Sequence, residues 1–432
     1  MIDVILSRDT ERLALKLQCV RKRNVALDAE LINEVANIIA NVRSRGDAAL
    51  IDYTARFDGL ALQTSDLKVA AGTLQEVAGR ADPSLCEALR EAIARVRKFH
   101  EFERPVPWEI TGPNGMRLGQ RITPVDRAGL YIPGGSASYP SSVVMNVVPA
   151  QVAGVKRIIV ATPPRTLREN PAVAAALWQL GVTEVYAIGG AQAIAALAYG
   201  TETVPGVDKI TGPGNRYVAA AKRLVFGVVG IDSIAGPSEV IIIADDGARA
   251  SYVAADLMAQ AEHAEDASAI LITTSPSLAE QVLSELAKQI NQLPRRQVIE
   301  ESLAQFGAII VVDAVDEACD LVNELAPEHL QIMAREEEKI VARIRNAGAI
   351  FFGDHSPEAV GDYLAGPNHV LPTTRTARFA SALGVQDFIK RTNTVKFSAS
   401  ELRRTAPIIA TLARAEGLEA HAQSVLIRLS EG

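Results

Sequence analysis

Cysteine is scarce: three in 432 residues, Cys19, Cys86 and Cys319, far apart and with no Cys-x-x-Cys. That spacing suggests neither a disulfide framework nor a thiolate zinc site, and it fits a reducing cytoplasm. Positive charge is not in excess either, since 44 Lys and Arg against 51 Asp and Glu leave a formal net charge of −7. Short basic runs such as Arg21-Lys22-Arg23 and Lys390-Arg391 read as solvated faces, so neither nucleic acid nor an acidic membrane surface is an expected partner. The opening residues MIDVILSRDTERL contain no sustained apolar core and do not read as a signal peptide.

One run is long enough on paper to cross a bilayer, because between Pro171 and Gly200 the only charge is Glu184. Gly181 and Gly189-Gly190 divide it into helix, β-rich run and helix, the pattern of a strand buried beneath helices. An apolar content of 48% is enough for real cores, and the length allows two or three domains of roughly 150 residues each.

The first hundred residues carry helical signals. Leu31, Val35, Ile38 and Ile39 recur at helical spacing before Gly46, and Asp82-Pro83 reads as an N-cap with a first-turn proline opening a helix to about Phe99. His100 falls near that helix's end, where a solvent-exposed cation facing the helix dipole is the reading. From about Arg127 short apolar runs alternate with helices: GLYIP, RIIVATPP, EVYAIGG and DKITGPG, then a second series of EVIIIADD, SAILITTS, GAIIVV, HLQIMA and GAIFFG. The expected fold class is α/β, two Rossmann-like parallel-sheet domains with a helical N-terminal segment and a small C-terminal tail. The boundaries read as 1–130 for the N-terminal segment, packed on the second α/β domain, 131–237 and 238–376 for the two α/β domains, and 377–432 for the tail. The tail holds a strand TVKFS and a helix from about Glu401, too little to fold alone.

Histidine is scarce too, yet four of the six lie in phrases with carboxylates or amides: Gln260-Ala261-Glu262-His263, Pro327-Glu328-His329, Asp362 with Gly366-Pro367-Asn368-His369, and Glu416 with His421. Such nitrogen and oxygen groupings suit zinc, and an adjacent Glu-His pair suits proton transfer near neutrality, so a metalloenzyme is expected. The i, i+3 spacing puts Gln260 and His263 on one helical face; a polar helix end explains that pair at least as well, amide coordination being uncommon. Glu328 and His329 stand at a helix–strand junction, where separate acid and base roles are available. A helix stop followed by a half-buried strand residue is the competing reading. Gly361, Gly366 and Pro367 give the segment around Asp362 and His369 the backbone of a binding loop, whereas His355 reads as a turn residue.

Three glycine-rich segments, residues 131–142, 188–192 and 212–215, follow predicted strands and precede helices. None has GxGxxG spacing, but bare amides at such places can receive phosphate or ribose oxygens; taken singly, each also fits a tight βα turn. Ser238 falls where the chain crosses between the two α/β series, a cleft position.

With the segments YIPGGSASYPSS, GGAQAIAALAYGT, KITGPGN, AGPSE, AQAEH, APEHL, GDYLAGPNHVLPT and AEGLEAH in that order, the chain resembles the histidinol dehydrogenase family over essentially its whole length. The resemblance implies a cytoplasmic homodimer with one zinc per site, oxidising L-histidinol through histidinal to L-histidine with two NAD at the end of histidine biosynthesis. By motif it implies Gln260, His263, Asp362 and His421 as zinc ligands and Glu328 and His329 as the acid–base pair. Ser238, Gln260, His263, His329, Asp362, Glu416 and His421 resemble substrate contacts, with His369 a further candidate, and Tyr131, Gln192 and Asn215 resemble NAD contacts. It also implies that the first α/β domain binds NAD, that the second carries most zinc and catalytic residues, and that the tail crosses to the partner subunit. The alternatives are a zinc-dependent dehydrogenase for another polar alcohol and a non-catalytic nucleotide-binding protein; the latter has no need of both Glu328 and His329.

For this chemistry His329 is matched to removing a hydroxyl proton, and Glu328 to activating the water that the aldehyde step requires. Glu416 and His421 are five residues apart, which on a regular helix directs them roughly 140° apart at ~100° per residue. The helix is therefore expected to end or bend near Gly417.

Overall fold

Aliphatic runs without polar alternation are what strands covered on both faces require. They form two parallel sheets in the structure, a computed structural model that describes residues 2–23, 28–134 and 139–430. The first sheet runs in the order Glu184–Ala187, Arg157–Thr162, Arg127–Tyr131, Lys209–Thr211, Gly230–Ile231. The second runs Asp3–Leu6, Ala308–Val311, Ser268–Thr273, Glu239–Ala244, His329–Met333, Ala349–Phe352. Strand order reverses beside Arg127–Tyr131 in one and beside Glu239–Ala244 in the other, the places where α/β sheets open crevices.

Each sheet has one strand more than expected from the sequence, Gly230–Ile231 and Asp3–Leu6. The N-terminal segment also does not pack as a block on the second α/β domain. Asp3–Leu6 pairs with Ala308–Val311, and Leu17 and Val20 of the helix Thr10–Arg21 join that sheet's core. The helix Ala29–Arg45, capped by Asp28, instead buries Leu31, Val35, Ile38 and Ile39 in a core with Tyr131, Ile159 and Ile194 of the first domain. The two stretches carry separate apolar faces, and each covers a different sheet.

His100 corrects another expectation. It lies inside the helix Pro83–Phe102, four residues after the fully buried Val96 and so on the same inward face. It is itself fully buried, with Nδ1 2.7 Å from Glu103 Oε2. The apolar run from Pro171 resolves, as its glycines require, into Pro171–Gln179, Glu184–Ala187 and Gly190–Tyr199. Among the described residues no helix is long and apolar enough to cross a membrane.

Both parallel sheets belong to one unit, residues 1–103 and 126–388. The second unit comprises residues 104–125 and 389–432, so the expected tail boundary at 377 moves and the segment before Asp126 divides. The physical reason is strand pairing. Ile389–Lys396 pairs antiparallel along its length with Arg117–Pro124, which pairs in turn with Trp108–Thr111. In the same unit the helices Ala399–Ala415 and Glu419–Ser430 pack through Ala410, Ala413 and Ala422, and the expected break falls at Gly417, whose φ is +74°.

Candidate active site

The helix Val315–Leu325 stops at Ala326, whose φ of +45° turns the chain so that Pro327 delivers Glu328 and His329 to the start of a central strand. Next to it begins Glu239–Ala244, and one residue there holds both side chains. The Glu239 N–H donates to Glu328 Oε2 at 3.0 Å, and His329 Nδ1 donates to the Glu239 carbonyl at 3.2 Å. That second bond places the ring proton on Nδ1 and leaves Nε2 as the basic nitrogen. The Glu239 carboxylate receives Arg23 Nη2 at 2.7 Å and the Thr374 N–H at 3.0 Å. Arg23 also donates to the carbonyl of Ser238, the residue before Glu239, at 3.3 Å.

Glu328 and His329 are 6% and 4% exposed, and burial sets their titration. Desolvation pushes the His329 imidazole down to about 4, against the pull of Asp362, so it is neutral near pH 7. The Glu328 carboxyl is driven well above the usual carboxylate range, first by desolvation and further by the charges of Glu239 and Asp362.

Gln260 occupies the last turn of the helix Ala250–Ala261, with His263 just beyond it. Facing them is a helix, Glu358–Tyr363, in the segment read from sequence as a loop. Its i, i+4 spacing puts Glu358 and Asp362 on one face. With the Gln260 amide assigned so that both of its ends are satisfied, its nitrogen donates to both Glu358 oxygens at 3.1 Å and its oxygen accepts from His263 Nδ1 at 3.0 Å. His263, Glu358 and Asp362 each bring a ligand atom, all within 4.8 Å of one another. His369 Nδ1 donates to the Asp362 carbonyl at 2.9 Å, and burial lowers its imidazole pKa. Glu358 Oε1 lies 3.6 Å from His329 Nδ1, which joins the two clusters.

Glu358 was not singled out by the sequence reading; its signal is the four-residue step to Asp362, visible only once the segment is helical. Its carboxyl is raised by desolvation and then by Asp362, Glu328 and Asp256, all negative. One turn before Gln260, Asp256 accepts from Gln331 Nε2 at 2.7 Å and is raised by burial to about 6. Imidazole nitrogen, carboxylate oxygens and an amide oxygen in an acidic enclosure form a donor set that fits zinc.

At the carboxyl edge of the first sheet, the Tyr131 hydroxyl accepts from the Gly190 N–H at 3.1 Å, and burial pushes the phenol up to about 12. Gln192 is buried in the first turn of the following helix, and Asn215 caps Arg216–Val225 through the N–H groups of Tyr217 and Val218. Gly212 has φ +114°, and a Cβ there would lie 2.1 Å from the Tyr131 carbonyl oxygen. Buried Lys222 and Asp232 form an ion pair and hold both sides of Gly212, Lys222 Nζ donating to its carbonyl at 2.9 Å and its N–H donating to Asp232 at 2.9 Å. These loops bring Tyr131 and Gln192 together beside helix starts and fit the phosphate or ribose oxygens of a dinucleotide. Residues 135–138 of the first loop lie outside the described residues.

Glu416 and His421 belong to the second unit, exposed and on either side of the Gly417 break.

Residues 21–429 match the family model described as histidinol dehydrogenase. A histidinol dehydrogenase of Geobacillus kaustophilus (strain HTA426) is 54% identical over 399 residues, 92% of this chain and 94% of the relative. One of Gluconobacter oxydans (strain 621H) is 53% identical over 397 residues, 92% of each. The crystal structure of histidinol dehydrogenase from Elizabethkingia anophelis aligns with a TM-score of 0.93 at 36% identity, covering 100% of this chain and 98% of that one.

Proposed function

Because the chain belongs to the histidinol dehydrogenase family, oxidoreductases of histidine biosynthesis, we propose that it oxidises L-histidinol to L-histidine in two hydride transfers, using zinc and NAD. The observation that carries this reading is the meeting of Gln260, His263, Glu358 and Asp362 with the Glu328–His329 pair. Gln260, His263 and Asp362 would hold zinc, with His421 assigned by the motif. Bound there, zinc would serve as a template for the substrate's imidazole and amino nitrogens. NAD, received by Tyr131, Gln192 and Asn215, would supply the hydride acceptor.

His329 presents Nε2 to the alcohol and takes its hydroxyl proton as hydride leaves the carbon, giving histidinal. In their ionised forms Glu358 and Glu328, 3.6 and 3.7 Å from Nδ1, would offset the charge the ring then gains. Glu328 takes a proton from water as its oxygen adds to the aldehyde carbon, and the hydrate gives up the second hydride to a second NAD. Ser238, His369 and Glu416 are assigned to substrate contact. Glu416 and His421 are proposed to complete the site of a partner subunit in a homodimer. Cytoplasmic operation is supported by three free cysteines.

His263→Ala tests the reading. The variant is expected to lose bound zinc and histidinol-dependent NAD reduction while keeping its circular dichroism spectrum. Full zinc content and activity would refute the assignment.

A further inference from the structure

We propose that Glu358 is a positioning residue that fixes the Gln260 amide with its oxygen toward the metal site and holds His329 beside it, tying metal binding to proton transfer. This rests on the zinc reading above. A glutamine amide has one ligating end, the oxygen, and one end that only donates. Gln260 is fully buried, so its neighbours decide which end faces the site. One end of the Gln260 amide lies 3.1 Å from both Glu358 oxygens and the other 3.0 Å from His263 Nδ1; a carboxyl group carries at most one hydrogen, so only the NH2 end, with two to give, satisfies both oxygens, and that end is assigned to Glu358. The oxygen is thereby turned to the side of His263.

Glu358 is itself placed by packing. It shares the helix Glu358–Tyr363 with Asp362, and at Gly361 a Cβ would lie 2.5 Å from the Phe351 ring, so that helix sits close against Phe351. The same ring lies 6.1 Å from the His329 ring, centroid to centroid. One packed face therefore sets the spacing of Glu358, Asp362 and His329. Direct ligation by Glu358 is the competing role, since its oxygen is also within 4.8 Å of the His263 and Asp362 ligand atoms. Its engagement with Gln260 through both oxygens favours positioning.

The test uses the full-length enzyme, its Glu358→Gln variant and the swapped pair Gln260→Glu with Glu358→Gln. Zinc affinity is measured by competition with a chelating dye, and the coordination of cobalt substituted for zinc by its visible absorption. Glu358→Gln is expected to bind one zinc about 10–100-fold more weakly, the usual consequence of losing a group that orients a ligand, with the cobalt band unmoved. At saturating zinc, kcat should fall more than KM for histidinol changes. The swapped pair keeps a donor-to-carboxylate contact and should recover at least half of the lost factor; it also reads the proposal if the single variant fails to fold. Zinc affinity and kcat within twofold of the parent would overturn the proposal, as would a cobalt band altered as for a lost ligand, or no recovery in the swap. A parent enzyme that binds no zinc would overturn the zinc reading itself, and this shows before any variant is made.

Discussion

The backbone N–H of Glu239 donates to Glu328 Oε2 at 3.0 Å, while the Glu239 side chain is bound by Arg23 at 2.7 Å. A residue near the start of the chain thus anchors the peptide that orients the Glu328 carboxyl group. Both partners of the ion pair are buried, with side chains 1% and 10% exposed. Arg23→Met should therefore destabilise the fold by about 3–5 kcal/mol in chemical denaturation, because it leaves Glu239 uncompensated. Arg23→Met with Glu239→Gln should recover most of that loss. Equal destabilisation in the single and double variants would contradict the account.

Glu328→Gln should lower oxidation of added histidinal by about 10²–10⁴-fold, the range for a lost general base, and slow the first hydride transfer much less. The pH dependence has a fixed sign. Burial raises the Glu328 carboxyl above the ordinary range, so its basic form fills only as pH rises past that range, and histidinal oxidation should climb there. Glu328→Gln should remove that acid limb. Equal losses in both half-reactions would assign Glu328 to positioning alone.

The sequence showed the histidine phrases and most strands because those features are local. Glu358 escaped because its relation to Asp362 exists only on a helix, and the glycines and prolines around 361–372 read as loop. Asp3–Leu6 escaped for a different reason: its partner Ala308–Val311 lies far along the chain, so the pairing leaves no local signal. Arg23 looked like part of a solvated basic run, and only the fold brings it to Glu239. Gly417, by contrast, was legible, since the five-residue step from Glu416 to His421 required a break and a glycine stood between them.

Crossing of the tail between subunits is tested by mixing chains. His421→Ala and Glu328→Gln dimers should each form almost no histidine. Heterodimers would then contain one intact and one doubly altered site and recover up to about half the activity of a parent dimer. Verified subunit exchange without recovery would place the tail in its own subunit's site.

The most direct test of the central claim is the NADH formed per histidinol consumed, with excess NAD, before and after zinc is stripped by a chelator. The account predicts two NADH and one histidine per histidinol, no turnover in the stripped enzyme and recovery with added zinc. One NADH per histidinol with histidinal accumulating, or full turnover without metal, would contradict it.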